Sequence, residues 1–234
     1  MHTFSESLAV AAGLLAHLDA GLLRIVELSL RVSLTATLLA AAIGLPLGAT
    51  IAVGRFGGRR LLTVLLNTFM GLPPVVVGLV VYLLLSRAGP LGALGVLFTP
   101  TAMVIAQTIL IVPIVAALSR QIVADAWDEY REQLASLGAS TSRAAVTLLW
   151  DTRFSLATVL LAGFGRAVAE VGAVMIVGGN IDGVTRVMTT AISLETSKGD
   201  LPLALGLGLI LVAVVFLINA AAQIIKSAAV RRYG

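Results

Sequence analysis

Two opposite charges lie four residues apart inside a long apolar stretch of the sequence. Arg166 and Glu170 are the charged residues between Phe154 and Val177, a stretch long enough to cross a membrane. Charged side chains within such segments are rare and commonly functional. On one helix face the two could also neutralise each other. A structural ion pair, a gate or path contact, and a proton relay therefore all stay open.

Hydroxyl side chains recur at helical spacing between Gly183 and Gly199, where we expect a short helix. One stripe carries Thr185, Thr189, Ser193 and Thr196, and another carries Met188, Ala191, Ile192 and Glu195. Hydroxyls beside Arg186 suit brief contacts with an anion, because they donate hydrogen bonds without building a tight cage. A solvated surface helix is the alternative. The candidate gate residues are Pro73, Pro74, Asn180, Thr185, Arg186, Thr189 and Ser193.

The segment 120–153 has helix-forming composition on both sides of Gly138. Glycine at that point ends a helix and allows a turn, and Ser140 or Thr141 can cap a second helix. The pattern predicts a compact helix-turn-helix elbow. Such an elbow suits docking into a groove on a partner protein, although two ordinary surface helices would show the same pattern.

The composition excludes a water-soluble domain. Of the 234 residues, 59% are hydrophobic and 12% are charged, and the mean hydropathy is +1.04. Disordered chains show the opposite balance, and a chain without cysteine has no disulfide framework, catalytic thiol or cysteine-bound zinc. The net charge of +4 does not indicate nucleic-acid binding, because the basic residues lie in short segments between apolar runs. We expect no metal site.

Five stretches are long and apolar enough to span the hydrocarbon layer. The predicted spans are 32–54, 61–86, 99–119, 154–177 and 201–225. Residues 5–30 carry apolar positions at helical spacing and predict an interfacial helix. No basic residue precedes them, so we do not expect a signal peptide. The sequence predicts one all-α polytopic membrane domain over 1–234.

Basic residues are unevenly divided between the two sides of the predicted spans. The segments 54–60, 120–153 and 226–234 contain ten lysines and arginines, and the opposite side contains five. Basic residues favour the cytoplasmic side, so we expect the N-terminus outside and the C-terminus in the cytoplasm. Pro73-Pro74 interrupts the second span, either as a packing kink or as an unwound point along a path.

The elbow resembles the EAA loop of permeases in binding-protein-dependent ABC importers. That motif is Glu-Ala-Ala, three residues, Gly, nine residues, then Ile-x-Leu-Pro. Here Glu132 and Gly138 keep the spacing and Leu148 stands at the Ile position. Gln133 and Leu134 replace the two alanines, and Trp150-Asp151 replaces Leu-Pro.

The resemblance implies that the elbow docks into an ATP-binding subunit. The residues that carry this role are Glu132, Ala135, Ser136, Leu137, Gly138 and Ala139. The sequence contains no Gly-x-x-x-x-Gly-Lys-Ser/Thr run, so we expect no cofactor on this chain, with ATP and magnesium bound by a separate subunit. The implied partners are a second copy of the chain, two ATP-binding subunits, an extracytoplasmic oxyanion-binding protein and the lipid bilayer, without nucleic acid.

The segments 71–92 and 165–200 are similar to tungstate-type permeases, and molybdate and sulfate permeases share a looser form of the second segment. This resemblance implies a permease that imports tungstate by alternating access in the inner membrane of a prokaryote. The alternative within the class is molybdate or another small oxyanion. The alternative from another class is a secondary transporter that couples Arg166 and Glu170 to an ion gradient.

Overall fold

The computed structural model describes residues 9, 12, 13 and 20–233, and this part of the chain contains helices without strands. From residue 20 onward we number the α-helices in chain order. They are α1 (Ala20–Val53), α2 (Arg59–Phe69), α3 (Pro74–Leu85), α4 (Pro100–Ser136), α5 (Thr141–Asp151), α6 (Arg153–Val168), α7 (Gly172–Gly178), α8 (Met188–Lys198) and α9 (Leu201–Tyr233). A short 3-10 turn covers Gly92–Leu94.

The scaffold is the close parallel packing of α1 against α4. A Cβ atom added to Gly48 would lie 2.5 Å from the Ala116 carbonyl oxygen, and one added to Gly44 would lie 2.9 Å from the Val115 Cβ. Real atoms do not approach so closely, so only glycine allows the two backbones to meet at these points. The Ser119 hydroxyl adds a bond across the contact, donating to the Gly44 carbonyl at 3.4 Å.

The predicted interfacial helix over 5–30 does not stand apart from the first span. Residues 20–30 are continuous with the rest of α1, and most of 5–19 lies outside the described residues. The first turns of α1 pack against other helices of the bundle, because Leu22 is buried against Met188 and Leu207. This packing keeps residues 20–30 in line with the first span. At 1.5 Å per residue, the 34 residues of α1 extend about 51 Å, which is longer than the hydrocarbon layer.

The second predicted span, 61–86, is broken rather than straight. Its halves, α2 and α3, meet at an angle of 101°. Pro73 is extended, with φ −65° and ψ 122°, and Pro74 is the first residue of α3, which is where proline fits a helix best. The Pro73-Pro74 pair therefore unwinds the chain. Gly78 then lets α3 lie directly on α7, at Ala173.

The third predicted span, 99–119, begins as expected, since Thr99 is the N-cap and Pro100 the first helical residue of α4. It does not end at 119. The helix continues to Ser136, so the first half of the predicted loop 120–153 is a direct extension of the span.

The fourth predicted span, 154–177, consists of two helices. α6 ends at Val168 and α7 begins at Gly172, and the segment between them holds one of the two intramembrane charges. The fifth predicted span, 201–225, lies within α9. α1, α4 and α9 are long and apolar enough to cross a membrane, and up to five spans result when each bent helix pair counts as one. The all-α polytopic fold class is confirmed.

The basic residues gather at opposite ends of the bundle. Arg24, Arg31 and Arg186 line one cavity, while Arg55 and Arg131 line another at the far end of α1. We call these the outer and cytoplasmic ends, following the charge rule. Between them the core joins α1, α3, α4 and α7 through residues such as Val32, Val81, Met103 and Val174.

Candidate functional site: a cytoplasmic elbow and a polar break within the bundle

The elbow at the cytoplasmic end is closed by a Schellman turn. Gly138 has φ +69°. Its N–H donates to the Ala135 carbonyl at 3.0 Å, and the Ala139 N–H donates to the Leu134 carbonyl at 3.0 Å. These two bonds satisfy the last free carbonyls of α4. The next helix starts at once, since the Ser140 side chain accepts a hydrogen bond from the Arg143 N–H at 3.4 Å.

The tip of the elbow is open to solvent. Of the six residues predicted to dock, Glu132, Ala135, Ser136, Leu137 and Gly138 are exposed and Ala139 is half-buried. The Leu137 side chain is 75% exposed. A single exposed leucine is ordinary on a protein surface, so Leu137 indicates a contact surface only together with the exposed apolar residues of the next helix.

α5 is fixed to the bundle by one face and free on the other. Ala144 and Leu148 are buried with Val53 of α1 and Val123 of α4. On the opposite face, Val146 and Trp150 are 68% and 71% exposed. These two residues lie outside the set of six that was predicted to dock. Their spacing of four, out of step with Ala144 and Leu148, is the signal that identifies them.

Arg153 holds the end of α5 in place. Its guanidinium lies 5.0 Å from the centre of the Trp150 ring and 4.5 Å from that of Phe154, within the range of cation–π attraction. It also donates to the Trp150 carbonyl at 2.8 Å. These contacts of Arg153 bridge the bend of 75° between α5 and α6.

The second part of the site is the break between α6 and α7, where the two intramembrane charges meet. The Arg166 Nη1 lies 2.6 Å from the Glu170 Oε2, so the predicted ion pair forms. The two residues do not share a helix face, because α6 ends at Val168. Glu170 lies in the break, and its Oε1 accepts a hydrogen bond from the Ala173 N–H at 3.1 Å, which caps α7.

Side chains from two neighbouring helices replace backbone bonds that the break removes. Gln107 of α4 donates to the Ala167 carbonyl at 2.9 Å. Thr189 of α8 donates to the Glu170 carbonyl at 2.8 Å. A broken helix is tolerated at membrane depth only where neighbouring groups satisfy it. These contacts therefore tie α4, α6, α7 and α8 together at one point.

The hydroxyl stripe is not formed as predicted. α8 begins at Met188, with Val187 as its N-cap, so Thr185 precedes the helix. The Thr185 hydroxyl donates to the Gly178 carbonyl at 2.6 Å and accepts from the Ile181 N–H at 2.9 Å. Because a hydroxyl has one proton, neither Thr185 nor Thr189 has a free donor for an anion in this conformation. The half-buried Ser193 keeps its place on α8.

The second stripe includes the side of α8 that packs against the bundle. Met188 is buried and Ile192 is partly buried in a cluster with Leu207 and Ile210 of α9. Two further gate candidates, Asn180 and Arg186, lie in the segment between α7 and α8. Asn180 has φ +50°, and its side-chain oxygen is buried without a hydrogen-bond partner. Arg186 forms an ion pair with Asp182 at 3.0 Å.

The sequence matches the family described as the binding-protein-dependent transport system inner membrane component, over residues 44–234. The chain belongs to this family. It is a multi-pass inner-membrane subunit of a transport system, and the matched range includes both the elbow and the α6–α7 break. Family membership implies partners that bind ATP and partners that bind substrate.

Curated relatives agree with this assignment. The chain is 41% identical over 220 residues to a tungstate uptake system permease protein of Peptoclostridium acidaminophilum, covering 94% of this chain and 96% of the relative. It is 42% identical to a probable anion ABC transporter permease of Haloferax volcanii, covering 85% and 88%. It is 40% identical to a tungstate uptake permease of Campylobacter jejuni, covering 69% and 67%. Molybdenum and sulfate permeases are more distant, at 26% to 31% identity.

Proposed function

We propose that this chain is the permease of an ATP-driven tungstate importer. Two copies would form the path, two separate ATP-binding subunits would dock on the cytoplasmic elbows, and an outer binding protein would deliver the oxyanion. The similarity to a tungstate permease over nearly the whole of both chains supports the substrate. The distance to molybdenum permeases favours tungstate over molybdate.

The observation that carries the ATP-driven mechanism is the exposed elbow. Leu137 at the turn and Val146 and Trp150 on α5 present apolar area, and the turn directly follows the helix α4 that forms a span. Closure of the ATP-binding subunits would move α5. Because α5 packs on Val53 and Val123, the movement reaches α1 and α4, and the bend at Arg153 carries it to α6.

The dimer is supported by the position of Arg166. Its partner Glu170 is 3% exposed, but the Arg166 side chain is 36% exposed at the polar break within the bundle. A guanidinium facing lipid is costly. A second copy of the chain, or a water-filled path between two copies, would give the Arg166 guanidinium an environment other than lipid.

Tungstate uptake into proteoliposomes tests the proposal. The permease, the ATP-binding subunit and the loaded binding protein would be reconstituted, and the metal taken up would be measured by mass spectrometry. We expect uptake that needs ATP and the ATP-binding subunit. Uptake of molybdate in preference to tungstate would reject the substrate, and uptake without the ATP-binding subunit would reject the class.

A further inference from the structure

The outer end of the bundle contains a cavity rich in arginine. It has a volume of 330 Å³ and lies between the first turns of α1 and the segment that precedes α8. Arg24, Arg31 and Arg186 line it together with Glu27 and Asp182. Three positive and two negative side chains leave these walls with a net charge of +1.

The negative charges are poorly placed to neutralise the arginines. Asp182 is 78% exposed, whereas its partner Arg186 is 23% exposed, so water already solvates the carboxylate. The Nε of Arg186 is buried and has no hydrogen-bond partner. A buried donor without a partner is uncommon, and here it belongs to a side chain that lines an open cavity.

The two arginines of α1 add to the same surface. Arg24 and Arg31 are seven residues apart, about two helical turns, and both are exposed. Within residues 20–233, neither forms an ion pair with a carboxylate. Arg31 also lines a second cavity. Two hydroxyl residues line that cavity with it, Thr35 of α1 and Thr101 at the start of α4.

We infer that this cavity is an outer receiving site for a tetrahedral oxyanion, held by Arg24, Arg31 and Arg186 before it enters the path between the helices. Guanidinium groups match the oxygens of such an anion in two-point contacts. Glu27 and Asp182 weaken the attraction of the cavity for an anion. A transport site needs such weak binding because it must also release its ion. The inference rests on the proposed oxyanion import.

Tungstate binding to the permease in the absence of the delivery protein tests the inference. The permease with its ATP-binding subunits would be placed in lipid nanodiscs and dialysed against sodium tungstate, with bound metal measured by mass spectrometry. We expect saturable binding that Arg24→Gln and Arg31→Gln each weaken tenfold or more. Both side chains are exposed, so these variants should fold, which thermal unfolding would check. Arg87→Gln is the matched control, because Arg87 is an exposed arginine outside this cavity and should bind tungstate as the wild type does.

Three results would overturn the inference. The wild type could bind no tungstate without the delivery protein. Arg87→Gln could weaken binding as much as Arg31→Gln, which would indicate a general surface charge. The α1 variants could bind tungstate normally but lose affinity for the loaded delivery protein, which would make the cavity a protein docking surface. In each case ATP-dependent tungstate uptake by the wild type would leave the proposed function standing, and its absence would reject that function separately.

Discussion

Replacing Gly138 tests whether the shape of the elbow, rather than its sequence alone, creates the docking surface. The residue has φ +69°, and its N–H and that of Ala139 make the two bonds that close α4. A Cβ atom at this position would meet nothing within 4 Å. Gly138→Val therefore introduces backbone strain without a steric clash, and Gly138→Asn is the matched control because asparagine tolerates the left-handed region.

The expected size of the effect follows from the backbone conformation. A residue with a Cβ atom in the left-handed region costs roughly 1–2 kcal/mol, and a β-branched residue lies toward the upper end. If the ATP-binding subunit recognises the closed turn, this cost appears in the docking equilibrium. A change of that size weakens the affinity by a factor of about 5–30. Gly138→Asn should stay close to the wild type.

The assay is the affinity of the purified permease for its ATP-binding subunit, followed by ATPase activity with the loaded binding protein. Thermal unfolding of the bundle should change little in either variant, because the glycine lies at an exposed tip. Equal affinities of the valine and asparagine variants would refute the reasoning. So would a loss of affinity that accompanies unfolding of the whole chain.

Three further substitutions examine the packing that supports the site. Arg166→Gln leaves a buried carboxylate unpaired and should cost about 3 kcal/mol of stability. Adding Glu170→Gln should recover part of that loss. A double variant as unstable as the sum of the two single variants would argue against pairing. Gly48→Ala forces a Cβ atom onto the Ala116 carbonyl oxygen and should destabilise the chain by about 1–3 kcal/mol. Gly165→Ala is the control, because an added Cβ atom at that position meets open space, and it should not lower the midpoint of thermal unfolding. Thr185→Val removes a buried donor and acceptor and should lower the free energy of unfolding by about 1–3 kcal/mol. A variant with wild-type stability but slow uptake would instead indicate that Thr185 contacts the transported anion.

Features set by local backbone chemistry were predictable from the sequence. Gly138 and Ser140 specify a turn and a helix start through their own conformational preferences, and the structure forms both. Thr99-Pro100 likewise marks the start of α4. The apolar spans follow from composition, which needs no knowledge of what lies beside each helix.

Features set by packing between distant segments were not predictable in the same way. Pro73-Pro74 predicted an interruption of the second span, but not the angle of 101° between its halves, and the break beside Glu170 leaves no mark in the apolar count. The contact of Gly78 with Ala173 and the bond from Gln107 to Ala167 decide the course of the chain there. The hydroxyl stripe was wrong at Thr185 for a more local reason. That side chain bonds to the Gly178 carbonyl, seven residues earlier, and the helix begins only at Met188.

ATP-dependent tungstate uptake by proteoliposomes, with and without the ATP-binding subunit, is the most direct test of the central claim. We expect uptake only when ATP, the ATP-binding subunit and the loaded delivery protein are all present. The uptake should fall with Gly138→Val in proportion to the loss of docking. Uptake driven by a proton or sodium gradient in the permease alone would contradict the account, and would place Arg166 and Glu170 in an ion-coupled path instead.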